Sequence, residues 1–353
     1  MIDMEKIKLG IICGGMSTEN EVSVVSADSI LKNLNKEKYE IYPIYIDKKG
    51  KWYEFEPKKE KITIGDQPNK KNEITNIISY LKKIDVIFPV LHGLYGEDGT
   101  IQGLFELLQI PYVGCRVLAS SVGMDKVYTK IVFEKAGLNQ ARYEYVRTYK
   151  DKYIYIDKNF DEKILGLEEI SEIISKNLKY PMFVKPSNSG SSVGINKAEN
   201  KEKLKEYIKY AAKYDNKILI EEGIDGIEVE CAVLGNEDVI SSCVGEVKSA
   251  EDFYSFDAKY KNEASRIEIP ADLPADIAKK IQKQAIKAFK AIDGKGLSRV
   301  DFFVEENSNK IYINEINTLP GFTNISMYPK LFEESGMAYT ELLDKLVELA
   351  KNP

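Results

Sequence analysis

Short apolar runs alternate with helical patterns over the first third of the chain. The runs KLGIICGG, YEIYPIYID and IDVIFPVLHG predict β-strands, and EVSVVSADSILKNL and GTIQGLFELLQI predict helices. Alternation of this kind is typical of βαβ units and a parallel sheet. Because the loops at the carboxyl ends of such strands carry the ligand site, GGMSTENE and HGLYGEDG are the first candidate loops.

The pattern changes after the predicted helix MDKVYTKIVFEKAGL, which ends at Gly137. Residues 149–177 are rich in Lys, Asp and Glu and are interpreted as an exposed insertion. The strand YPMFVKP then leads into the Gly/Ser loop SNSGSSVG, and KILIEEGI, EVECAVLG and VISSCVGEV predict more strands. The stretch LFEESGMAYTELLDKLVELAK predicts one amphipathic closing helix.

The segment SRVDFFVEENSNKIYINEINTLPG predicts an antiparallel hairpin, since two apolar runs flank a polar turn. If the hairpin turns about Ser308, Asp301 lies opposite Glu315. Residues i and i+2 share a face of a strand, so Ile313 and Asn317 are expected to lie beside Glu315. By the same rule Arg299 lies beside Asp301.

The hairpin is a candidate Mg²⁺ site, because two carboxylates and a carboxamide meet on one face. Two facing carboxylates repel each other without a cation. From hairpin geometry alone, exposed surface acids are an equally good interpretation. Asn317 favours the metal site, since it follows Glu315 and runs directly into a rigid Pro-Gly loop.

Composition and charge narrow the choice of function. A chain of 353 residues predicts more than one domain, and a net charge of −6 with interspersed signs does not favour nucleic acid or an anionic membrane as partner. No apolar run approaches the roughly 20 residues of a membrane span, and the first residues predict a strand rather than a signal peptide. Four separated cysteines predict free thiols in a reducing compartment.

A phosphate site is also suggested, at Lys185, which ends its strand directly before the Gly/Ser loop. Its ammonium and the backbone N–H groups of the loop could hold a phosphate, although an ordinary turn is an open alternative. Glu221 and Glu228 could accept ribose hydroxyls or be solvated acids. The stretch DFYSFDAKY is either a mobile lid or an exposed loop.

Together these motifs resemble the D-alanine–D-alanine ligases of the ATP-grasp superfamily. The resemblance rests on GGMSTENEVS, HGLYGEDGTIQG, KPSNSGSSVG, EEGIDGIEVE, DFYSFDAKY and RVDFFVEENSNKIYINEINTLPGFTNISMYPK, which occur in the family's order along essentially the whole chain. It implies an α/β plus α+β fold with an N-terminal α/β domain at 1–122. Central and C-terminal ATP-grasp subdomains at 123–217 and 218–353 would enclose ATP.

The resemblance also implies the reaction. Two D-alanines are joined to D-alanyl-D-alanine through a D-alanyl phosphate, with release of ADP and phosphate, for peptidoglycan synthesis. It implies a cytoplasmic homodimer and two Mg²⁺ ions, or Mn²⁺ instead, held by Asp301, Glu315 and Asn317. Glu315 would bridge both ions.

Substrate contacts are implied residue by residue. Glu19 would hold the ammonium of the first D-alanine, and His92 would lie near its carboxylate. Arg299 and the backbone N–H of Gly321 would stabilise the tetrahedral intermediate. The remaining implied residues are Ser191 and Tyr260, which would form a relay with Glu19, and Ser326 and Met327 at the second substrate.

Nucleotide contacts are implied in the same way. Lys126 and Lys185 would contact the α- and β-phosphates, and Lys259 the γ-phosphate. Asn314 departs from the family's usual apolar residue in the wall of the adenine pocket. The other residues implied at the nucleotide are Phe183, Ser191, Ser192, Glu221, Glu228 and Phe303.

Rival functions predict different residues at a few positions of the chain. D-lactate ligases of this family replace the lid tyrosine, and D-serine ligases tend to carry arginine at the position of Met327, so Tyr260 and Met327 favour D-alanine. The loop HGLYGEDG disfavours a ligase for another acid and amine. Arg299 with the complete metal set disfavours a nucleotide-binding protein without chemistry.

Overall fold

Three β-sheets organise the residues that the structure describes, 5–58, 62–190, 193–248 and 266–352 of a computed structural model. Helices accompany each sheet, which matches the predicted combination of α/β and α+β parts. Within the described ranges, no helix is both long and apolar enough to cross a membrane. All four cysteines are free, as predicted, and only Cys243 is partly exposed.

The first sheet contains the predicted βαβ units. Its strands are β1 (Ile7–Gly14), β2 (Tyr39–Ile46), β3 (Trp52–Glu56), β4 (Asn69–Glu73) and β5 (Val86–Val90), and its helices are α1 (Asn20–Asn33), α2 (Ile77–Leu81) and α3 (Thr100–Leu108). Helix α4 (Val117–Met124) follows them in the chain. The strand order is β4-β3-β2-β1-β5. β1 is parallel to β2 and β5, as predicted, because its long apolar run is buried. β3 and β4 extend the edge in antiparallel pairing.

Helix α5 (Lys126–Lys135) precedes the second sheet in the chain. The strands of that sheet are β6 (Tyr143–Tyr149), β7 (Lys152–Ile156), β8 (Glu162–Leu165), β9 (Met182–Pro186), β10 (Asn196–Ala198) and β11 (Lys217–Glu222), and its helices are α6 (Leu167–Asn177) and α7 (Lys201–Ala211). The order is β10-β9-β11-β6-β7-β8, with antiparallel pairing throughout.

The interpretation of residues 149–177 as an exposed insertion is wrong. This stretch contains β7, β8 and α6, and it forms one end of the second sheet and part of its core. Ile170 and Ile174 are fully buried, because residues four apart lie on the same face of α6. Glu172, the charged residue between them, is exposed.

The third sheet carries the predicted hairpin. Its strands are β12 (Ile227–Gly235), β13 (Ile240–Lys248), β14 (Arg266–Glu268), β15 (Gly296–Val304) and β16 (Ile311–Asn317), and its helices are α8 (Ala275–Ala291), α9 (Met327–Glu334) and α10 (Tyr339–Lys351). The order is β14-β13-β12-β15-β16. β15 and β16 pair in antiparallel fashion, which confirms the hairpin.

The prediction of a single closing helix is wrong, because the stretch forms the separate helices α9 and α10. Gly336 lies between them with a φ of +92°, a left-handed conformation that ends a helix. The apolar spacing continues across this break, which is why periodicity alone did not reveal it.

The cores show how the sheets are grouped. One cluster joins β1 and β5 of the first sheet to α9 and α10 of the third, whereas the second sheet has a cluster of its own. The domain division at 1–122, 123–217 and 218–353 stays a prediction. The boundary between 217 and 218 falls inside β11, so we propose that it lies after Glu222 instead.

Candidate active site

A cavity of about 1380 Å³ opens where the second and third sheets face loops of the first. Among the described residues, every predicted site residue except Asp301 lines it. These are Glu19, His92, Lys126, Phe183, Lys185, Glu221, Glu228, Arg299, Phe303, Glu315, Asn317, Gly321, Ser326 and Met327. Ser191, Ser192, Lys259, Tyr260 and the predicted lid lie outside the described residues.

Glu19 lies at the amino end of α1, in the loop after β1, and is buried. Two glycines from different loops leave room for its carboxylate. A Cβ placed on Gly93 would lie 2.6 Å from Glu19 Oε2, and one on Gly190 would lie 2.7 Å from the same atom. The carboxylate is therefore the point at which the loop after β5 and the Gly/Ser loop after β9 meet.

His92 is buried just beyond the end of β5. Its Nδ1 lies 3.2 Å from the backbone oxygen of Leu319, which can only accept, so Nδ1 carries a proton. Its Nε2 lies 3.0 Å from Ser26 Oγ. Burial lowers the pKa of His92, but the carboxylates of Glu97 and Glu19 outweigh burial and raise it. The ring is thus held next to the cavity by contacts at both of its nitrogens.

Glu97 is a site residue that was not predicted from the sequence. Its Oε2 accepts a 3.0 Å hydrogen bond from the N–H of Gly93, and its Oε1 lies 3.9 Å from His92 Nδ1. Burial raises the pKa of Glu97, and the charge of Glu19 adds to this against the lowering effect of His92. A carboxylate five residues after the histidine, in a glycine-rich loop, is the signal that could have identified it.

Arg299 is fixed between two carboxylates of the third sheet. Its Nε and Nη2 donate to Asp301 Oδ1 and Oδ2 at 2.7 and 2.6 Å, and Nε lies 3.0 Å from Glu230 Oε2. Burial lowers the pKa of Arg299, but the charges of Asp301 and Glu230 outweigh burial, so the pKa is raised overall. Asp301 is 2% exposed and lies behind the guanidinium. Glu230 was also missed, although it is two residues from Glu228 on the same strand.

The hairpin has the predicted register at its functional end, where Asp301 pairs with Glu315. A β-bulge follows, so that Phe302 pairs with Ile313 and Asn314 is the additional residue. The prediction that Ile313 lies beside Glu315 is therefore wrong, since the bulge breaks the two-residue alternation. Ile313 is buried in the core.

The oxygen atoms of Asp301, Glu315 and Asn317 suit a hard cation such as Mg²⁺. Asn317 donates its Nδ2 to Asp301 Oδ2 at 3.0 Å, which leaves its amide oxygen available as a donor to a metal. In the described ranges no group of three or more His, Cys, Asp or Glu side chains would hold a metal. The residues therefore fit a cation that shares its coordination with a phosphate-bearing ligand.

Lys126 of α5 and Lys185 of β9 line the cavity, and Lys130 of α5 contacts Glu221 behind its wall. Lys126 donates from Nζ to the backbone oxygen of Ser189 at 2.7 Å and lies 3.9 Å from Glu315 Oε2. Lys185 Nζ lies 2.5 Å from Glu221 Oε1, and Lys130 Nζ lies 2.6 Å from Glu221 Oε2. Burial raises the pKa of Glu221, but the two lysines outweigh it and lower the pKa to about 2.

The loop after β16 completes the wall of the cavity. A Cβ on Gly321 would lie 2.7 Å from Ser326 Oγ, so the backbone of this glycine and the serine hydroxyl are close neighbours. Ser326 Oγ also accepts a 2.9 Å hydrogen bond from the N–H of Thr323. Met327 lines the cavity but is 5% exposed, and most of its side chain belongs to the core.

Aromatic rings form the end of the cavity that lies away from Arg299. Phe303 pairs with Glu228 on one side and with Tyr312 on the other. Phe183 approaches from the second sheet, and Asn314 lines the same cavity. Tyr312 was not predicted, because the bulge that places it opposite Phe303 has no sequence signal.

Family models match most of the chain. The model described as D-ala D-ala ligase N-terminus matches residues 8–115, and that described as D-ala D-ala ligase C-terminus matches residues 132–348. A curated D-alanine–D-alanine ligase of Acetivibrio thermocellus is 51% identical over 373 residues. The alignment covers 98% of this chain and 96% of that relative.

Solved structures agree over the same length. The D-alanine–D-alanine ligase of Coxiella burnetii has a TM-score of 0.80 at 34% identity and covers 99% of this chain and 94% of its own. The VanG D-Ala:D-Ser ligase of Enterococcus faecalis has a TM-score of 0.83 at 36% identity, with coverage of 98% and 100%. These likenesses confirm the predicted fold class. Since one neighbour is named for D-serine, fold alone does not separate the two second substrates.

Proposed function

The chain belongs to the D-alanine–D-alanine ligase family of the ATP-grasp superfamily, and we propose that it joins two D-alanines for peptidoglycan synthesis at the cavity described above. The observation that carries the proposal is that functional side chains from distant parts of the chain converge on one cavity. Glu19 follows β1 of the first sheet, Lys185 lies on β9 of the second and Arg299 on β15 of the third, and all of them line the same cavity.

In the first step, a carboxylate oxygen of one D-alanine attacks the γ-phosphorus of ATP, and the bond to ADP breaks. Such transfers depend on positioning and on charge neutralisation. Glu19 would hold the ammonium of this D-alanine, and His92 would stand near its carboxylate. Lys126 and Lys185 would contact the nucleotide phosphates. Lys259 is proposed for the γ-phosphate from outside the described residues.

In the second step, the amine of the other D-alanine attacks the carbonyl carbon of the acyl phosphate, and phosphate leaves. Charge develops on the carbonyl oxygen, where preorganised donors lower the barrier. Arg299 is suited to this because Asp301 and Glu230 fix its orientation before any substrate arrives. The backbone N–H of Gly321 would be the second donor, and Ser326 would hold the carboxylate of the incoming D-alanine.

The adenosine would lie at the aromatic end of the cavity. Phe183 and Phe303 would pack on the base, and Glu228 would accept hydrogen bonds from the ribose. Two bound Mg²⁺ ions, or Mn²⁺ in their place, would supply positive charge to the phosphates. Asp301, Glu315 and Asn317 would hold these ions through the oxygen atoms that meet at the hairpin.

D-alanine is proposed over D-serine as the second substrate because Met327 presents no polar group to a serine hydroxyl. An unpaired polar group in a closed site is penalised. The resemblance also supports a cytoplasmic homodimer. Light scattering tests the dimer, which would have twice the 40.0 kDa mass of one chain. A mass of one chain would contradict it.

The direct test is phosphate release from ATP with and without D-alanine, in Mg²⁺ and again with excess chelator. The proposal predicts release that requires both D-alanine and the metal and that returns when Mg²⁺ is restored. Release that is independent of D-alanine would contradict the ligase, and full activity in chelator would contradict the metal site alone.

A pair of arginine variants provides the structural control. Arg299→Lys keeps a charge but loses the planar fork, so it is expected to slow D-alanine-dependent release by roughly 10²–10³-fold, the usual effect of losing one oxyanion donor. Arg147→Lys changes an arginine whose partner is the exposed Glu162 and is expected to leave the rate unchanged. Equal rates in the two variants would remove Arg299 from the mechanism.

A further inference from the structure

Lys130 is a buried cation that the proposed mechanism does not use. It lies on α5 one helical turn after Lys126, and it is 3% exposed. Lys126 lines the cavity, whereas Lys130 lies behind the wall and is not part of the lining. Burying an ammonium group costs free energy unless the group is paired with an opposite charge. The partner of Lys130 therefore indicates the role of this lysine.

The partner is the carboxylate of Glu221, which is shared between two lysines. Lys130 Nζ lies 2.6 Å from Oε2, and Lys185 Nζ lies 2.5 Å from Oε1. All three are largely buried, with the side chain alone 4% exposed for Lys130, 6% for Glu221 and 12% for Lys185. Each carboxylate oxygen therefore has its own cation, and the group as a whole carries one positive charge.

The charge balance depends on Lys130. Burial lowers the pKa of Lys185, but Glu221 raises it, so Lys185 is cationic at neutral pH. If Lys130 were absent, Lys185 and Glu221 would neutralise each other as a simple pair. That pair would then offer no net charge to the nucleotide phosphates, and Lys126 would be left as the phosphate contact from α5.

We propose that Lys130 is a positioning residue that neutralises Glu221 from behind the wall and so keeps the charge of Lys185 available to the nucleotide phosphates. The inference rests on the proposed function, since it takes ATP to be the ligand of this cavity. It goes beyond that function by giving a role to a residue that touches neither substrate nor nucleotide.

A purely structural role for Lys130 makes a different prediction. Lys130 lies 5.4 Å from the centre of the Tyr143 ring, and its backbone oxygen accepts from Gln140, so it also contributes to packing at α5. If packing were its only role, its removal would weaken every ligand alike. The electrostatic role instead predicts a loss that depends on whether the ligand has phosphates.

The test compares ADP with adenosine in the unmutated protein and four variants, using competition against ATP to measure both dissociation constants. Lys130→Met and Lys130→Gln remove the charge, and Lys130→Arg restores it. Lys135→Met removes an exposed lysine from the same helix as a matched control. We expect both neutral variants to bind ADP at least about tenfold more weakly and adenosine within about threefold of the unmutated protein. The Arg variant and the control are expected to bind both ligands normally.

Two results would overturn the inference while leaving the proposed function intact. One is unchanged ADP affinity in a neutral variant that melts at its normal temperature. The other is an equal loss for ADP and adenosine in Lys130→Gln, which keeps a hydrogen-bonding group next to Glu221. Failure of the unmutated protein to bind ADP would instead contradict the nucleotide site itself, and with it the inference.

Discussion

At the scale of single residues, the position of Glu19 depends on two neighbouring glycines, which have no side chain to displace its carboxylate. Gly93 and Gly190 both approach its carboxylate more closely than any side chain would allow. The atom that they crowd is the far end of a flexible side chain. At Gly190 a Cβ would displace the carboxylate with little cost to the fold, so function should suffer more than stability.

Gly190→Ala tests this directly, because Gly190 has no left-handed φ and the substitution introduces contact without backbone strain. We expect the KM for D-alanine to rise by about tenfold, equivalent to roughly 1.4 kcal/mol of lost binding, with a small change in melting temperature. Steady-state kinetics and thermal unfolding measure the two effects.

Gly166→Ala is the matched control, since a Cβ at Gly166 meets nothing within 4 Å. It should leave both quantities unchanged. If Gly190→Ala has a normal KM, Glu19 does not depend on the space at that loop.

Site residues that belong to a sequence motif could be predicted, whereas the residues that hold them in position could not. Arg299, Asp301 and Glu315 meet as strand alternation predicts. Glu230 and Lys130 were missed because their roles depend on contacts between distant segments. No local spacing records that Lys130 of α5 reaches Glu221 of β11.

At the scale of elements, the start of α5 is joined to two strands of the second sheet. Asp125 caps the helix by accepting from the N–H groups of Val127 and Tyr128, each at 3.1 Å. The same carboxylate accepts from Ser187 Oγ at 2.6 Å and lies 2.5 Å from Lys217 Nζ. One side chain thus fixes Lys126 relative to the loop after β9.

Asp125→Asn should destabilise the protein in a pH-dependent way. Burial raises the pKa of Asp125, but the hydrogen bonds and charge of Lys217 and the bond from Ser187 outweigh it and lower the pKa. A lowered folded pKa stabilises the fold above the unfolded value of about 3.9, and this stabilisation is lost as the pH falls through the folded value. We expect a loss of about 1–3 kcal/mol at pH 7.

Denaturant unfolding from pH 7 downward measures that loss. The difference between variant and unmutated protein should be constant to about pH 5 and shrink below about pH 4. Asp161→Asn, at an exposed aspartate, is the control and should show no difference. A difference that persists unchanged at the lowest pH would show that the ion pair with Lys217 is not its cause.

Elements were predicted well where apolar periodicity was uninterrupted, as in β1, β5 and the β15–β16 hairpin. They were predicted wrongly where one residue changed the backbone. Gly336 divides the closing helix, and the bulge at Asn314 changes which side chains face the cavity. Both effects depend on backbone conformations that the hydrophobic pattern does not encode.

At the scale of the whole molecule, the cavity lies between sheets with separate cores. The first and third sheets share one core, whereas the second has its own. Lys185 approaches from the second sheet, Lys126 from the start of α5, and Arg299 and Glu315 from the third sheet. A ligand that spans the cavity would therefore contact both groups of sheets, as expected for ATP between two subdomains.

The order of sheets was only partly predictable from sequence. Alternating strands and helices indicated the parallel centre of the first sheet, because crossover connections are local. The strand order of the antiparallel second sheet was not predicted from the sequence, since its central strand β11 lies far along the chain from its neighbour β6. Such pairings depend on complementary buried faces rather than on local patterns.

The central claim is that this cavity joins two D-alanines, and the mass of the product tests it most directly. The protein would be incubated with ATP, Mg²⁺ and D-alanine alone, and then with an equal amount of D-serine or D-lactate added. The account predicts D-alanyl-D-alanine as the sole product in the first reaction and the main product in the others. No dipeptide from D-alanine alone, or a main product that contains D-serine or D-lactate, would contradict it.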